Sequence, residues 1–143
     1  YRTEISLILL DIDHFKKFND TWGHQVGDLV LQETAQRIIE SIRAVDTPGR
    51  YGGEEMVVIL PQTGPKDALM VSERIRTSIA NAVYKSGGQE LKVTVSIGVT
   101  SLSGRTVTLE GFIEECDKAL YKAKDAGRNR VVQSEQAPDG SAS

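Results

Sequence analysis

The amino-acid sequence predicts an α/β fold of the α+β type, with helices packed on a mixed sheet. Residues 5–11 form an almost continuous apolar run, which is typical of a strand covered on both faces. Residues 91–99 alternate between apolar and polar side chains, as expected of a half-buried strand. Over residues 26–42, 65–83 and 108–126, apolar side chains recur instead at helical spacing. Strands interspersed with helices in this way predict a mixed sheet flanked by helices.

Shorter patterns complete the predicted order. Residues 15–19 are long enough for one or two helical turns, and Thr47-Pro48-Gly49 is expected to break the helix before it. A hairpin is predicted over residues 50–60, with Gly52-Gly53 at its tip because glycine permits positive φ in a tight turn. Residues 130–132 make a short final strand. The predicted order is therefore β-α-α-β-β-α-β-α-β.

Composition describes one domain with an ordinary core. The 143 residues are 39% hydrophobic and 26% charged. The formal net charge of −3 argues against a nucleic-acid partner, and no apolar run approaches the roughly 20 residues of a membrane helix. The single cysteine, Cys116, cannot form an internal disulfide and is expected to be a buried small hydrophobe. We expect a cytoplasmic domain, whose parent protein could be anchored in a membrane.

The two ends of the chain suggest a piece of a longer protein. Tyr1 is not an initiator Met, and the chain enters the first predicted strand almost at once. Residues 134–143 are polar and contain Pro, Gly and Ser, which predicts a disordered tail, a linker or a cloning scar. We therefore expect one folded domain over residues 1–133.

Two acidic clusters follow or precede predicted strands. Asp11-Ile12-Asp13 ends the first apolar run, and Glu54-Glu55 follows the glycines of the hairpin. Carboxylates are the ligands that Mg²⁺ shares with substrate phosphates. If the two strand ends lie side by side, they predict a site for a nucleoside triphosphate. Taken singly, each cluster is also compatible with a solvated strand end or hairpin tip, and Asp13 is expected to cap the short helix that follows.

Six segments, in the same order, resemble the GGDEF family of bacterial diguanylate cyclases. They are residues 11–20 (Asp-Ile-Asp-His-Phe-Lys-Lys-Phe-Asn-Asp), Gly23-His24, Gly27-Asp28, residues 50–55 (Arg-Tyr-Gly-Gly-Glu-Glu), residues 96–99 (Ser-Ile-Gly-Val), and residues 119–124 with Gly127-Arg128-Asn129. The resemblance covers about residues 5–133. It implies a central antiparallel-rich five-stranded sheet flanked by helices, related to nucleotidyl cyclases and polymerase palm domains. Met56 departs from the family's usual Phe, and as an apolar residue it is expected to pack under the hairpin.

The resemblance implies condensation of two GTP molecules into cyclic di-GMP with release of two pyrophosphates. The cofactor would be Mg²⁺ or Mn²⁺, two per active site, holding the attacking and leaving oxygens. The implied ligands are Asp11, the backbone carbonyl of Ile12 and Glu54, with Glu55 as a helper. Glu54 is also the family's candidate base, but a metal-bound carboxylate is a weak base, so the metal role is preferred.

Further residues are expected to bind the substrate by the same resemblance. Backbone amides of the turn that includes His14 and Phe15 would face the phosphates. Lys16 would stabilise the transition state, although any single lysine is also compatible with a solvated helix face. The other implied substrate contacts are Lys124 and Arg128 at the triphosphate, Gly52 and Gly53 in the hairpin, and Asn19 and Asp28 at the guanine. Asp28 would accept a hydrogen bond from guanine N1–H, which adenine lacks. The alternative interpretation of Asp28 is an ordinary acid near a helix N-terminus.

A second site is implied by Arg43 and Asp46, which lie upstream of the hairpin at the family's spacing for product inhibition, with Arg74 as third member. Arginines suit cyclic di-GMP because they bind phosphate and guanine edges in a planar fork. The alternative is an ordinary surface pair at a helix end.

Because one domain binds one GTP and the reaction joins two, two sites must meet in a homodimer. Dimerisation is expected to depend on a missing N-terminal regulatory domain. Two alternatives remain open: a non-catalytic receptor for GTP or cyclic di-GMP, and another nucleotidyl cyclase or polymerase-like enzyme. The intact acidic hairpin argues against the first, and Asp28 argues against the second.

Overall fold

The computed structural model describes residues 4–104 and 106–135. In chain order the elements are β1 (Glu4–Ile12), α1 (Phe15–Trp22), α2 (His24–Ser41), β2 (Thr47–Arg50), β3 (Glu55–Pro61), α3 (Pro65–Ala80), β4 (Tyr84–Ser86), β5 (Gln89–Leu91), β6 (Val95–Ser103), α4 (Leu109–Asp125) and β7 (Val131–Gln133).

One five-stranded sheet organises the domain, in the order β2-β3-β1-β6-β7. The strand β1 lies at its centre and pairs antiparallel with β3 and β6, whereas β7 pairs parallel with β6. The predicted mixed, antiparallel-rich sheet flanked by helices is confirmed.

Two details of the predicted order are wrong. The segment expected to form one strand over residues 91–99 is divided, because β4 and β5 form a separate hairpin around Gly87 and Gly88, both at positive φ. Thr47-Pro48-Gly49 belongs to β2 rather than only breaking a helix. Proline is tolerated there because β2 is an edge strand whose outer side needs no backbone donor.

Both faces of β1 are buried, because its side chains alternate between two apolar clusters. Ile8, Leu10 and Ile12 join the cluster beneath α2 and α3, which also holds Met56. Leu7 and Leu9 pack against α4. Because both faces of β1 are covered, its apolar run is continuous. The expectation that Met56 packs under the hairpin is confirmed.

Cys116 is a buried small hydrophobe, as expected. It is fully buried on α4, and its thiol lies 3.2 Å from the carbonyl oxygens of Leu7 and Gly98. Burial raises the pKa of the thiol to about 12. The thiol is therefore neutral and unreactive in the folded domain. In the described part of the chain, the helices are too short or too polar to cross a bilayer.

Candidate active site

The two acidic clusters meet at one end of the sheet. Asp11 is the register partner of Glu55 across β1 and β3, so the predicted strand ends lie side by side. Glu54 precedes Glu55 in the hairpin loop. A cavity of about 220 Å³ opens at this edge, and it is lined by Asp11, Ile12, Asp13, His14, Phe15, Lys16, Glu54, Lys124 and Arg128.

Asp11 is held between the sheet and α4. It is only 7% exposed, and its Oδ2 accepts a hydrogen bond from the Lys124 ammonium. Its Oδ1 is buried and has no hydrogen-bond partner among the described residues. A buried carboxylate oxygen without a donor costs free energy, because folding removes its hydrogen bonds to water and no other donor replaces them. That oxygen can accept a cation or a donor from a ligand.

The donor set fits a hard divalent cation. Asp11, the Ile12 backbone and Glu54 line one cavity, whereas Glu55 lines a neighbouring cleft between the hairpin and α4. Across residues 4–104 and 106–135, no three His, Cys, Asp or Glu side chains converge closely enough to hold an ion by themselves. Mg²⁺ commonly takes one or two protein carboxylates and completes its shell with water and phosphates. Two carboxylates and a carbonyl satisfy that requirement.

The first turn of α1 faces the same cavity. His14 precedes the helix in the left-handed region at φ 56°, and within the described residues no side chain caps the helix start. The backbone N–H groups of Phe15 and Lys16 therefore have no partner within the helix. Unpaired N–H groups and the helix dipole favour an anion at this point. The expected phosphate-facing turn thus lies beside the acids.

The prediction that Asp13 caps α1 is wrong. The Asp13 carboxylate accepts instead from the hydroxyls of Thr94 and Ser96, each at 2.6 Å, and from the backbone N–H of Asn129 at 3.0 Å. These partners are 81 to 116 positions away along the chain. Thr94 was missed by sequence reasoning, and its only local signal is a polar position in the alternating pattern near β6.

The two expected guanine contacts, Asn19 and Asp28, come from α1 and from the start of α2. A Cβ atom built on Gly27 would lie 1.7 Å from Asn19 Oδ1, so the Asn19 amide occupies the space that this glycine leaves at the start of α2. Asp28 follows directly and is exposed. Asn19 Oδ1 is buried and lacks a hydrogen-bond partner in the described part of the chain. Neither residue lines the cavity of Asp11.

Gly52 and Gly53 do not have the positive φ that was predicted for them. The loop between β2 and β3 is residues 51–54, and the carbonyl of Glu55 accepts from the backbone N–H groups of Tyr51 and Gly52. A loop of this length does not require the left-handed pair of a two-residue turn. A Cβ on Gly53 would meet nothing within 4 Å. Neither glycine lines the Asp11 cavity.

Comparison with known proteins identifies the family. The family model described as "Diguanylate cyclase, GGDEF domain" matches residues 1–130. The chain belongs to the GGDEF family. This GGDEF domain is 48% identical over 130 residues to the response regulator PleD of Caulobacter vibrioides, and 44% identical over 128 residues to diguanylate cyclase A of Treponema denticola.

Solved GGDEF structures share the fold. The GGDEF domain of DgcB from Caulobacter crescentus, in complex with c-di-GMP, superposes with a TM-score of 0.87 at 37% identity, covering 94% of this chain and 80% of that one. The two curated relatives are matched over 90% of this chain but only 29% and 34% of their own length. The GGDEF chain therefore spans about a third of the length of each of these two relatives.

A second cavity of this GGDEF domain holds the three residues expected to bind product. Arg43, Asp46 and Arg74 line a cavity of about 250 Å³ between β3 and α3. Asp46 is buried and accepts from the Arg43 backbone N–H at 2.7 Å and from its guanidinium at 2.8 Å. This hydrogen bond raises the pKa of Arg43. Arg74 donates to the Ser41 carbonyl at the end of α2.

The Arg43 guanidinium has further partners. Its Nη2 also donates to the carbonyl of Pro61 and the hydroxyl of Thr63, both at 2.8 Å. The Arg43 side chain is about half exposed. Asp46, Pro61 and Thr63 thus hold a half-exposed guanidinium at this cavity.

Burial raises the pKa of Glu55, and the nearby Asp11 raises it further, against a smaller opposing effect of Lys124. The folded state therefore disfavours ionised Glu55, and this penalty appears as pH rises through the raised pKa. We expect Glu55→Gln to increase the thermal midpoint at about pH 8, with the increase vanishing below the ordinary glutamate pKa of 4.5.

Calorimetry in a chelating buffer measures this effect. Glu90→Gln, on the exposed strand β5, is the matched control and should leave the midpoint unchanged. An equal stabilisation by Glu55→Gln at about pH 4 and about pH 8 would show that charge is not its cause.

Proposed function

We propose that this GGDEF domain, over residues 1–133, is a diguanylate cyclase that condenses two GTP molecules into cyclic di-GMP and two pyrophosphates. The observation that carries the proposal is the meeting of Asp11 and Glu54 in one cavity with Lys16, Lys124 and Arg128. Carboxylates for cations and basic groups for phosphates are the two requirements of phosphoryl transfer. The name of the Treponema denticola relative supports the same reaction.

Mg²⁺ or Mn²⁺, two per active site, would be held by Asp11, the Ile12 carbonyl and Glu54, with Glu55 nearby. The ions would supply the positive charge that offsets the negative charge developing on the attacking and leaving oxygens. The unpartnered Asp11 Oδ1 supports this assignment.

The protein's own groups bind and orient the triphosphate. The open N–H groups at the start of α1 and the exposed ammonium of Lys16 would bind phosphate oxygens. The Arg128 guanidinium has no partner among the described residues and lines the same cavity. Lys124 donates to Asp11 and lines the same cavity, so its ammonium would also lie beside the triphosphate. Because these groups are already in place before the substrate binds, they would orient the triphosphate and offset its negative charge, and both effects lower the activation barrier.

Asn19 and Asp28 would select guanine. The Asp28 carboxylate would accept from guanine N1–H and N2–H, and the Asn19 amide would pair with O6 or N3. A site built around a substrate N–H binds the analogue that lacks it more weakly, because the acceptor then loses its donor. ATP should therefore be a poor substrate.

Two active sites must face each other, since each holds one GTP. The arrangement is a two-fold symmetric homodimer, in which the 3′-hydroxyl on one domain meets the α-phosphorus on the other. We propose that an N-terminal regulatory domain of the parent protein controls this encounter, and that the reaction takes place in the cytoplasm.

Incubation with GTP and Mg²⁺, followed by chromatography, tests the activity. The domain alone and a form with a coiled coil fused before Tyr1 should both be assayed, because the fusion raises the effective concentration of the second site. We expect cyclic di-GMP, with faster synthesis by the fusion. Absence of product from both, together with retained binding of cyclic di-GMP, would favour a receptor.

We further propose that Arg43, Asp46 and Arg74 bind cyclic di-GMP and inhibit the enzyme. The ordered, half-exposed guanidinium of Arg43 supports this role. Arg43→Ala should raise the product concentration for half-inhibition at least about 10-fold, because a charged hydrogen bond contributes about 1.5–3 kcal/mol.

Initial rates with added cyclic di-GMP measure the inhibition. Lys66→Ala, an exposed change on α3 outside this cavity, is the matched control and should keep the wild-type inhibition curve. Equal inhibition of the Arg43 variant and wild type would place the inhibitory site elsewhere.

A further inference from the structure

Asp13 connects the end of β1 to two distant parts of the chain. It is 8% exposed, and its backbone N–H donates to the Thr94 carbonyl at 2.8 Å. Its Oδ1 accepts from the Ser96 hydroxyl, and its Oδ2 accepts from the Thr94 hydroxyl and the Asn129 backbone N–H. Both carboxylate oxygens are thus engaged by protein donors, which makes Asp13 a structural connection.

The turn between α4 and β7 depends on such a connection. Gly127, Arg128 and Asn129 all have positive φ, at 125°, 63° and 48°. Non-glycine residues avoid this region, so two in succession persist only when surrounding contacts hold them. Asp13 holds the Asn129 backbone, and Arg76 Nη1 donates to Asn129 Oδ1 at 2.9 Å from the other side. The turn is therefore fixed at Asn129.

Arg128 is the residue that this turn presents to the cavity. It lies directly before the fixed position and lines the cavity together with Asp13, Lys16 and Lys124. No hydrogen bond or ion pair engages the Arg128 guanidinium in the described part of the chain, so the turn sets where this side chain leaves the backbone, and no protein partner draws its charge elsewhere. A backbone change at Asn129 would displace the charge.

We propose that Asp13 is a positioning residue, which holds the α4–β7 turn so that the Arg128 guanidinium contacts the triphosphate. The inference rests on the proposed function, since it requires GTP in this cavity. Asp13 acts through Arg128 and does not itself touch substrate or ion.

A double-mutant cycle tests this dependence. GTP affinity is measured by calorimetry, with a non-hydrolysable GTP analogue and Mg²⁺, for wild type, Asp13→Ala, Arg128→Ala and the double variant. We expect each single change to weaken binding about 10-fold, as for loss of a charged hydrogen bond. The double variant should bind no more than about 3-fold more weakly than Arg128→Ala, because coupled residues are not additive.

Two further measurements separate positioning from other roles. Asp13→Asn should bind the analogue within about 3-fold of wild type, because the amide oxygen can still accept from the Asn129 N–H while the amide nitrogen donates to a hydroxyl. A metal ligand would not tolerate this change, since an amide is a weaker ligand for Mg²⁺ than a carboxylate. Asp125→Ala, an exposed acid at the end of α4, is the charge control and should bind as wild type does.

The outcomes distinguish failure of the positioning role from failure of the proposed function. If the losses of affinity in the two single variants multiply in the double variant, Asp13 does not act through Arg128. A loss of affinity for Asp13→Asn that multiplies with the loss for Arg128→Ala would mean the same. Either result would overturn the positioning role without contradicting the synthesis of cyclic di-GMP. If Asp13→Ala does not fold, Asp13→Ser, whose shorter side chain no longer reaches the Asn129 N–H, takes its place in the cycle with the same expected dependence on Arg128. No binding of the analogue and no product from wild type would instead reject the proposed function.

Discussion

Glu54→Ala is expected to lower the rate of cyclic di-GMP synthesis by about 10³-fold or more, the largest effect on activity that the structure predicts. Glu54 shares its cavity with Asp11, and no other described Asp or Glu besides Asp13 lines that cavity. Loss of a carboxylate that holds a catalytic cation removes several kcal/mol of charge stabilisation from the transition state. Glu54→Gln should fail similarly, because it keeps the shape and loses the charge.

The fold should survive this change. Glu54 is half-buried in the hairpin loop and makes no hydrogen bond or ion pair with the described residues. Surface changes of this kind shift the free energy of unfolding by about 0.5 kcal/mol or less. Chromatographic initial rates and thermal unfolding should be measured together, with Glu90→Ala on β5 as a matched control that keeps full activity. A Glu54→Ala variant with wild-type rates would refute the assignment of this residue.

Gly98→Ala is expected to destabilise the domain by about 3 kcal/mol, the largest effect on stability. A Cβ at this position on β6 would lie 2.3 Å from the backbone nitrogen of Leu120 and 2.5 Å from the carbonyl oxygen of Cys116. Both obstacles are backbone atoms of α4, so no side chain can move aside. The helix must shift away from the sheet and lose packing against Leu7 and Leu9.

Urea unfolding measures the loss, and Gly53→Ala is the matched control. A Cβ on Gly53 meets nothing within 4 Å, and its φ is not positive, so the free energy of unfolding should change little. An unchanged urea midpoint for Gly98→Ala would mean that α4 does not pack this closely against β6.

Local patterns along the chain predicted the parts of the site that depend on neighbouring residues. The apolar run of β1 and the acids that follow it are contiguous, and so are the glycines and glutamates of the hairpin. Their order predicted acids at two strand ends, and the antiparallel pairing of β1 with β3 is what places Asp11 beside Glu55. The burial of Cys116 followed from helical periodicity in the same way.

The wrong predictions concern groups whose partners are distant in sequence or whose geometry depends on loop length. Asp13 was expected to cap the adjacent helix, but the hydroxyls of Thr94 and Ser96 compete for its oxygens from more than 80 positions away. Gly52 and Gly53 were expected at positive φ, but the hairpin loop is longer than the two-residue turn that requires this geometry.

The amino-acid sequence by itself determined the sheet with its flanking helices, the family, and the acids at two strand ends, because each is encoded by periodicity or by contiguous residues. Only the tertiary structure decided that the two strand ends meet, that Lys124 pairs with Asp11, and that Asp13 accepts from the Asn129 N–H. These contacts join positions up to 116 residues apart, and such contacts exist only once the sheet and α4 have packed.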